Sequence, residues 1–297
     1  PLSIGNAGDI VVIGVDPDNK PRVIRSANYL NSSETGHSRL VMHNLYIDMP
    51  NSQNNSGSPT NIGFVANSEF GELTLSNCDI AMRDNYTLIQ INSVGATIDV
   101  LNIVDCNIEI PQGENNRYIL SVGTNPYTIS ALNISNNILH CDDGIAGTFR
   151  FINSTLASCQ LVINKLDLSN NTLVNLANTN SSATFVKEIG NATVIKNLIY
   201  FNKSIDGYNE GTKYPNLIRT ATGVGYPEIA NCYDNVSYQL STDEVQRTFR
   251  VLFDNDYTPS VGQFENAFKK LPADPFEGGD LATFKPSSEY ASYGAQR

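Results

Sequence analysis

"LDLSNNTLVNL", residues 166–176, alternates apolar and polar residues up to a pair of asparagines and then resumes the alternation. The phrase returns as "LTLSNCDIAM" (73–82), "LNIVDCNIEI" (101–110) and "LNISNNILHC" (132–141). With its first asparagine as anchor, an aspartate in one case, the series is Asn44, Asn77, Asp105, Asn136, Asn170 and Asn197. The intervals are 33, 28, 31, 34 and 27 residues. Asn231 or Asn235 would be a seventh anchor. Four and two residues before each anchor sit mostly apolar residues, such as Leu73/Leu75, Leu101/Ile103, Leu132/Ile134 and Leu166/Leu168. Another follows three residues after it: Ile47, Ile80, Ile108, Leu139, Leu173 and Tyr200.

Alternation with a period of two is the mark of a strand, and a repeat of this length is the mark of a stacked array. Helical repeats are excluded because the phrases lack a 3.6-residue period. Each phrase reads as strand, one-residue bend, strand. The rest of each repeat holds a third short strand, such as "LIQIN" (88–92), "YILSV" (118–122) or "TFRFI" (148–152). Three strands and three bends per repeat predict an all-β fold, a right-handed single-stranded parallel β-helix of about seven turns. It would occupy residues 1–240. Asparagine suits the bend because it tolerates the left-handed backbone conformation and can bond its own chain. Cys78 and Cys106 follow their anchors at the same position in adjacent turns. They read as stacked, buried, reduced thiols, although parallel strands stack closely enough for a disulfide.

The stretches 51–61, 141–148 and 206–216 read as surface loops at bends. From about residue 241 the phrase disappears, so 241–297 reads as a C-terminal cap on the same solenoid, covering its open end. "STDEVQRTFRVLFD" opens like a capped short helix, and "VGQFENAFKKL" suggests a second.

The chain has 297 residues, 40% of them apolar, which suffices for a real core. Only 16% are charged, and 30 acidic against 19 basic residues give a net charge of −11. That balance argues against a nucleic-acid partner, because phosphate binding relies on Lys and Arg. No apolar run is long enough for a transmembrane segment. The opening "PLSIGNAGDIVVIG" starts as though already inside a fold, so a signal segment upstream is expected. Five cysteines without a C-x-x-C pair, and histidines scattered at His37, His43 and His140, indicate no metal site. His43 and His140 read as surface or bend residues.

The repeated phrase, the opening "DIVVIGVDPDNKPRVI" and the close "ADPFEGGDLATFKPSSEYASYGAQR" resemble the pectate-lyase-like β-helix superfamily. They resemble more narrowly its uncharacterised secreted members from gut Bacteroidetes. The resemblance implies a secreted or cell-surface protein associated with polysaccharide use. A lyase of that kind would need acidic residues holding calcium and a basic residue acting as base; otherwise no cofactor is implied. "HCDDGIAG" superficially resembles the paired-aspartate element of a polygalacturonase, with Asp142 and Asp143, but the companion motifs are missing. No catalytic set is identified.

Register on the third strand suggests a binding face instead. With Ile89/Ile91, Leu120/Val122 and Phe149/Phe151 inward, Gln90, Ser121 and Arg150 point outward together. Lys187 and Arg219 follow at about one turn each. Arg150, Lys187 and Arg219 would form a basic strip suited to the carboxylates of a uronic-acid chain. The expected function is polysaccharide binding, with acidic glycans as partner. A polysaccharide lyase or glycoside hydrolase is the first alternative. A structural or adhesive surface module is the second, favoured by the absence of Trp. The oligomeric state is not indicated.

Overall fold

The computed structural model describes residues 9–24, 38–49, 64–66, 69–83, 87–91, 96–112, 117–122, 126–142, 149–154, 161–176, 188–205, 218–219, 231–241, 252–253 and 268–297. Strands are labelled β1 to β23 in chain order. One long face stacks β1 (Ile10–Ile13), β3 (Ser38–His43), β6 (Glu69–Ser76), β9 (Ala96–Val104), β12 (Tyr127–Ser135), β15 (Leu161–Asp167), β17 (Glu188–Lys196) and β20 (Cys232–Tyr233). A second stacks β2 (Arg22–Ile24), β4 (Tyr46–Asp48), β7 (Asp79–Ala81), β10 (Asn107–Glu109), β13 (Ile138–His140), β16 (Thr172–Val174), β18 (Ile199–Ile205), β21 (Asn235–Ser241) and β23 (Phe268–Lys270). The third holds β5 (Phe64–Ala66), β8 (Thr87–Ile91), β11 (Arg117–Val122) and β14 (Phe149–Ser154). A short pair, β19 (Ile218–Arg219) with β22 (Leu252–Phe253), forms its own two-stranded sheet, with β19 close to β14.

Neighbouring strands pair in parallel, and each face gathers strands from successive repeats. The fold is therefore an all-β parallel solenoid, as the repeat predicts. The turn count differs. About four turns carry all three faces among the described residues, against the expected seven, because the third face has four strands where the others have eight and nine.

The core lies where the alternation places it. Met42, Leu75, Ile103 and Ile134 stack in register on the first face, and Leu168 continues the buried ladder. On the second face Ile47, Ile80, Ile108, Leu139, Leu173 and Tyr200 do the same. A solenoid repeat cannot bury its apolar stripe alone; stacking removes the stripe from water.

Between these faces runs the bend. Asn44, Asn77, Asp105, Asn136, Asn170, Asn197 and Asp234 all have φ between 50 and 57°. The seventh anchor is thus Asp234, not Asn231 or Asn235. Asn77 donates its amide to Asn44 Oδ1 at 3.2 Å, Asn136 donates to Asp105, and Asn197 donates to Asn170 at 3.0 Å. The next position forms an inner row: Leu45, Cys78, Cys106, Asn137, Asn171, Leu198 and Asn235, all buried. Cys78 and Cys106 are free thiols, as are Cys141 and Cys232, while Cys159 lies outside the described residues. Burial pushes the Cys106 thiol well above its ordinary range.

The C-terminal region departs from expectation. The described parts of the two expected helices, Leu252–Phe253 and Phe268–Lys270, are strands. β23 adds to β21, whose open edge offers unpaired N–H and C=O groups that a helix would leave unmet. Beyond it, Leu271, Phe276 and Tyr290 bury the outer side of Val174, Ile199, Phe201 and Val236. Phe276 meets Phe201 edge-on at 5.0 Å.

Residues 294–297 then run along the bend row. Gly294 N–H donates to Asn197 O, Ala295 N–H to Thr172 Oγ1 and Gln296 N–H to Asn136 Oδ1. Gly294 has φ +73°, and a Cβ there would lie 2.3 Å from Thr172 Oγ1, so both conformation and space require glycine. Arg297 donates to Asp105 O and to Asn77 Oδ1. This is where the side-chain ladder breaks, since a carboxylate at Asp105 cannot donate to Asn77.

Candidate functional site

The polar residue between the two apolar positions of each phrase must face out of the first sheet. Its column reads Val41, Thr74, Asn102, Asn133, Asp167, Val194, in register from β3 to β17. Four consecutive strands thus present hydroxyl, amide, amide and carboxylate, about 4.8 Å apart. Beside it runs Arg39, Glu72, Val100, Ala131, Lys165, with the pair Thr97 and Thr128 farther along the same strands.

Hydrogen bonds order one end of this surface. Arg39 Nε donates to Glu72 Oε2 at 2.5 Å, Thr74 Oγ1 to Glu72 Oε1 at 2.7 Å, and Asn102 Nδ2 to Thr74 Oγ1 at 3.0 Å. The chain of donors stops there. Asn133 Oδ1 and Asp167 Oδ1 on the next two strands meet no protein donor although both are shielded. Shielded acceptors are normally met by a protein donor or by ordered water, which a hydroxyl-bearing ligand can replace. Two acceptors on adjacent strands of this face are thus left without a protein partner.

The third face is arranged otherwise than the sequence suggested. Gln90 and Ser121 are in register, but the next residue of their column is Asn153. Arg150 pairs with Tyr118, three positions away, and Phe149 pairs with Arg117. Alternation counted from Phe149 and Phe151 puts Arg150 outward, whereas Ile152 is the residue that aligns with Leu120 and Ile89. Both sides of this sheet are buried, from Leu88, Ile119 and Phe151 to Ile89, Leu120 and Ile152. Arg150 itself is 1% exposed, with Nη1 donating to Asn153 Oδ1 at 2.8 Å and its guanidinium 5.8 Å from the Tyr118 ring centre. Asn153 in turn donates to Ser121 Oγ at 3.4 Å.

Arg150 is therefore not an outward member of a basic strip. Lys187 lies outside the described residues, and Arg219 is described only as a strand residue of β19 beside Phe253.

The histidines differ too. His43 lies on β3, its Nδ1 2.9 Å from Ser76 Oγ. His140 is buried under the Phe284 ring at 4.4 Å, with Nδ1 2.9 Å from Asp142 Oδ1. Asp142 is 80% exposed in its side chain, and Asp143 lies outside the described residues. Among the described residues no group of three or more His, Cys, Asp or Glu is close enough to hold a metal ion. No helix among them is long and apolar enough to cross a membrane.

Compared with protein-family models, with curated proteins and with solved structures, the chain finds no match.

Proposed function

We propose that the protein is a secreted or cell-surface polysaccharide-binding β-solenoid that holds a linear glycan along the outer face of its first sheet. The observation carrying this reading is the column Thr74, Asn102, Asn133, Asp167, with two acceptors that no protein donor meets. A glycan is a repeating chain of hydroxyl donors, and a stacked solenoid is a repeating row of side chains. Hydrogen bonds to sugar hydroxyls therefore recur from rung to rung without a single deep pocket. The resemblance of the phrase and of both chain ends to the pectate-lyase-like superfamily supports the same substrate class. The low density of charge on this column suits polyhydroxylated chains in general.

The test is a glycan array followed by calorimetry on the best ligand, with wild type beside the double variant Asn133→Ala/Asp167→Ala. Loss of two hydrogen bonds, one to a charged group, should weaken binding by about tenfold or more. Absence of any glycan ligand, or equal affinity in the variant, overturns the reading. Following the same mixtures for unsaturated products, with and without calcium, distinguishes a lyase from a binding protein.

A further inference from the structure

Two thiols meet in the core where the bends at Asn77 and Asp105 stack. The register is the same on both sides of that bend: Ser76 pairs with Val104 before it, and Asp79 with Asn107 after it. Asn107 N–H donates to Cys78 O at 2.9 Å. Cys78 is therefore opposite Cys106, with the two backbones about one strand spacing, ~4.8 Å, apart. Both side chains are wholly buried, and the two sulfurs are hydrogen-bonded to each other. Disulfides join residues whose Cα atoms are about 4.4–6.8 Å apart, so the backbone already holds this pair within bonding range.

The rest of the inner row shows what this position does for the fold. Asn137, Asn171 and Asn235 donate to the carbonyls of Ile103, Ile134 and Ile195 at 2.8, 2.7 and 3.0 Å. Their amide oxygens accept the backbone N–H groups of Cys106, Asn137 and Leu198 in the preceding rung. Cys78 and Cys106 face the equivalent carbonyls of Met42 and Leu75 at 3.5 Å, and those of Ser76 and Val104 at 3.3 Å. These are long contacts from a weak donor. As architecture the cysteines do less than asparagine; in this row they alone are able to join covalently. The two thiols are also unequal. The Cys106 thiol, the Leu45 N–H and the Lys20 ammonium hold Cys78 below its ordinary value against the effect of burial. Burial, with Cys78 alongside, pushes Cys106 well above it. Because the thiolate is the nucleophile, Cys78 is the attacking sulfur and Cys106 the resolving one.

We propose that Cys78 and Cys106 are a modification site, a dithiol that hydrogen peroxide closes to a disulfide across two adjacent rungs. The Cys78 thiolate attacks one peroxide oxygen, the O–O bond breaks, and the departing hydroxide takes up the thiol proton as water, leaving Cys78 as sulfenic acid. The Cys106 sulfur then attacks the Cys78 sulfur, the S–O bond breaks, and the departing hydroxide takes the Cys106 proton as a second water. Two thiols thus lose two electrons to form one disulfide, and one peroxide is reduced to two waters. Peroxide is close to water in size, so local opening too small for an alkylating agent admits it. In-register stacking sets the Cβ atoms slightly farther apart than the 3.5–4.5 Å or so that a disulfide prefers, which makes the bond strained and readily reduced again. The pair lies in the core and stands independently of the glycan reading of the outer face.

The test exposes the intact native protein to hydrogen peroxide, quenches with catalase, and alkylates in denaturant without reductant before peptide mass spectrometry. The expected product is a pair of peptides joined at Cys78 and Cys106, which dithiothreitol separates. Cys232 is the internal control: it is buried too, but its register partner is Ile195, and it should remain alkylatable. Cys106→Ser removes the resolving thiol, so Cys78 should stop at sulfenic acid and be trapped by dimedone. Cys78→Ser should leave Cys106 as unreactive as Cys232. Oxidation of Cys78 no faster than that of Cys232 overturns the proposal. So does loss of both thiols to sulfinic or sulfonic acid without a cross-linked peptide. Should either serine variant fail to fold, the wild-type peptide map decides alone.

Discussion

The side-chain amide of Asn137 donates to Asn171 Oδ1 across one rung at 3.0 Å, and the same oxygen accepts the backbone N–H of Asn137 at 3.0 Å. Asn171 then donates to Ile134 O at 2.7 Å, and Asn137 to Ile103 O at 2.8 Å. Both side chains are fully buried. Two polar residues in the core thus satisfy one another and the backbone groups that the bend leaves unpaired. Asn171→Ala would strand the Ile134 carbonyl and the Asn137 N–H. Such groups cost about 1–3 kcal/mol each, so a loss of roughly 3 kcal/mol is expected in urea unfolding.

A core ladder is tested by truncation. Ile134 is fully buried between Ile103 and Leu168. Ile134→Ala should destabilise by about 2–5 kcal/mol, and Ile134→Asp should prevent stable folding. Equilibrium denaturation followed by far-UV circular dichroism measures the first; soluble yield reports the second.

Gly190 lies on β17 where its pairing with β15 is interrupted between Ile163 and Lys165. A Cβ there would sit 1.8 Å from the carbonyl oxygen of Asn164. Gly190→Ala therefore requires a backbone shift and should cost about 1–3 kcal/mol, read as a lowered melting temperature.

Asp48 has a definite pH signature. Hydrogen bonds from Arg22, and then from Arg83, hold its carboxyl below the usual carboxylate value, against the opposing effect of burial. Its contribution to stability is present above the unfolded pKa of about 3.9 and is lost as pH falls through the lower folded value. The stability gap between wild type and Asp48→Asn should be constant near neutrality. It should narrow below about pH 4 and close once the folded carboxyl is protonated. A gap that stayed constant to the acid limit would contradict the assignment.

Cys78, Cys106, Cys141 and Cys232 are free and buried, and burial pushes Cys232 up to about 12. Burial screens all four from alkylating agents, and it is this screening that protects Cys78, whose thiol is held below its ordinary value by its hydrogen bond with Cys106. Peptide-level mass spectrometry should find these four unmodified in the native protein and fully alkylated in denaturant without reductant.

The sequence made some levels of this structure readable and hid others. The apolar ladders and the left-handed bends follow from Leu-x-Ile-x-Asn because each residue type there answers a local demand, so spacing alone locates them. The outward column Thr74, Asn102, Asn133 and Asp167 was equally visible, as the middle residue of the same phrase. The cations Arg150, Lys187 and Arg219 instead place the expected site on the third strand. There the reading failed for a physical reason: a strand buried on both sides has no alternation to fix its register. Phe149, Phe151 and Ile152 were then equally acceptable as inward residues. The Arg22–Asp48–Arg83 cluster was hidden because its members are 26 and 35 residues apart and only stacking brings them together.

The segment 294–297 joins residues 123, 160, 192 and 220 positions away in the chain. Closing loops of that size before the rungs exist would cost entropy with nothing yet to grip, so these contacts form after the solenoid has stacked. Bonds absent from the folding transition state hardly alter the folding rate, and their whole effect falls on the rate of opening. Because the four residues tie Asn197, Thr172, Asn136, Asp105 and Asn77 in one line across successive rungs, a rung cannot peel away without releasing its neighbours. The segment thus converts a stack of separable repeats into one kinetic unit, whose persistence is set by a lifetime and not by an equilibrium.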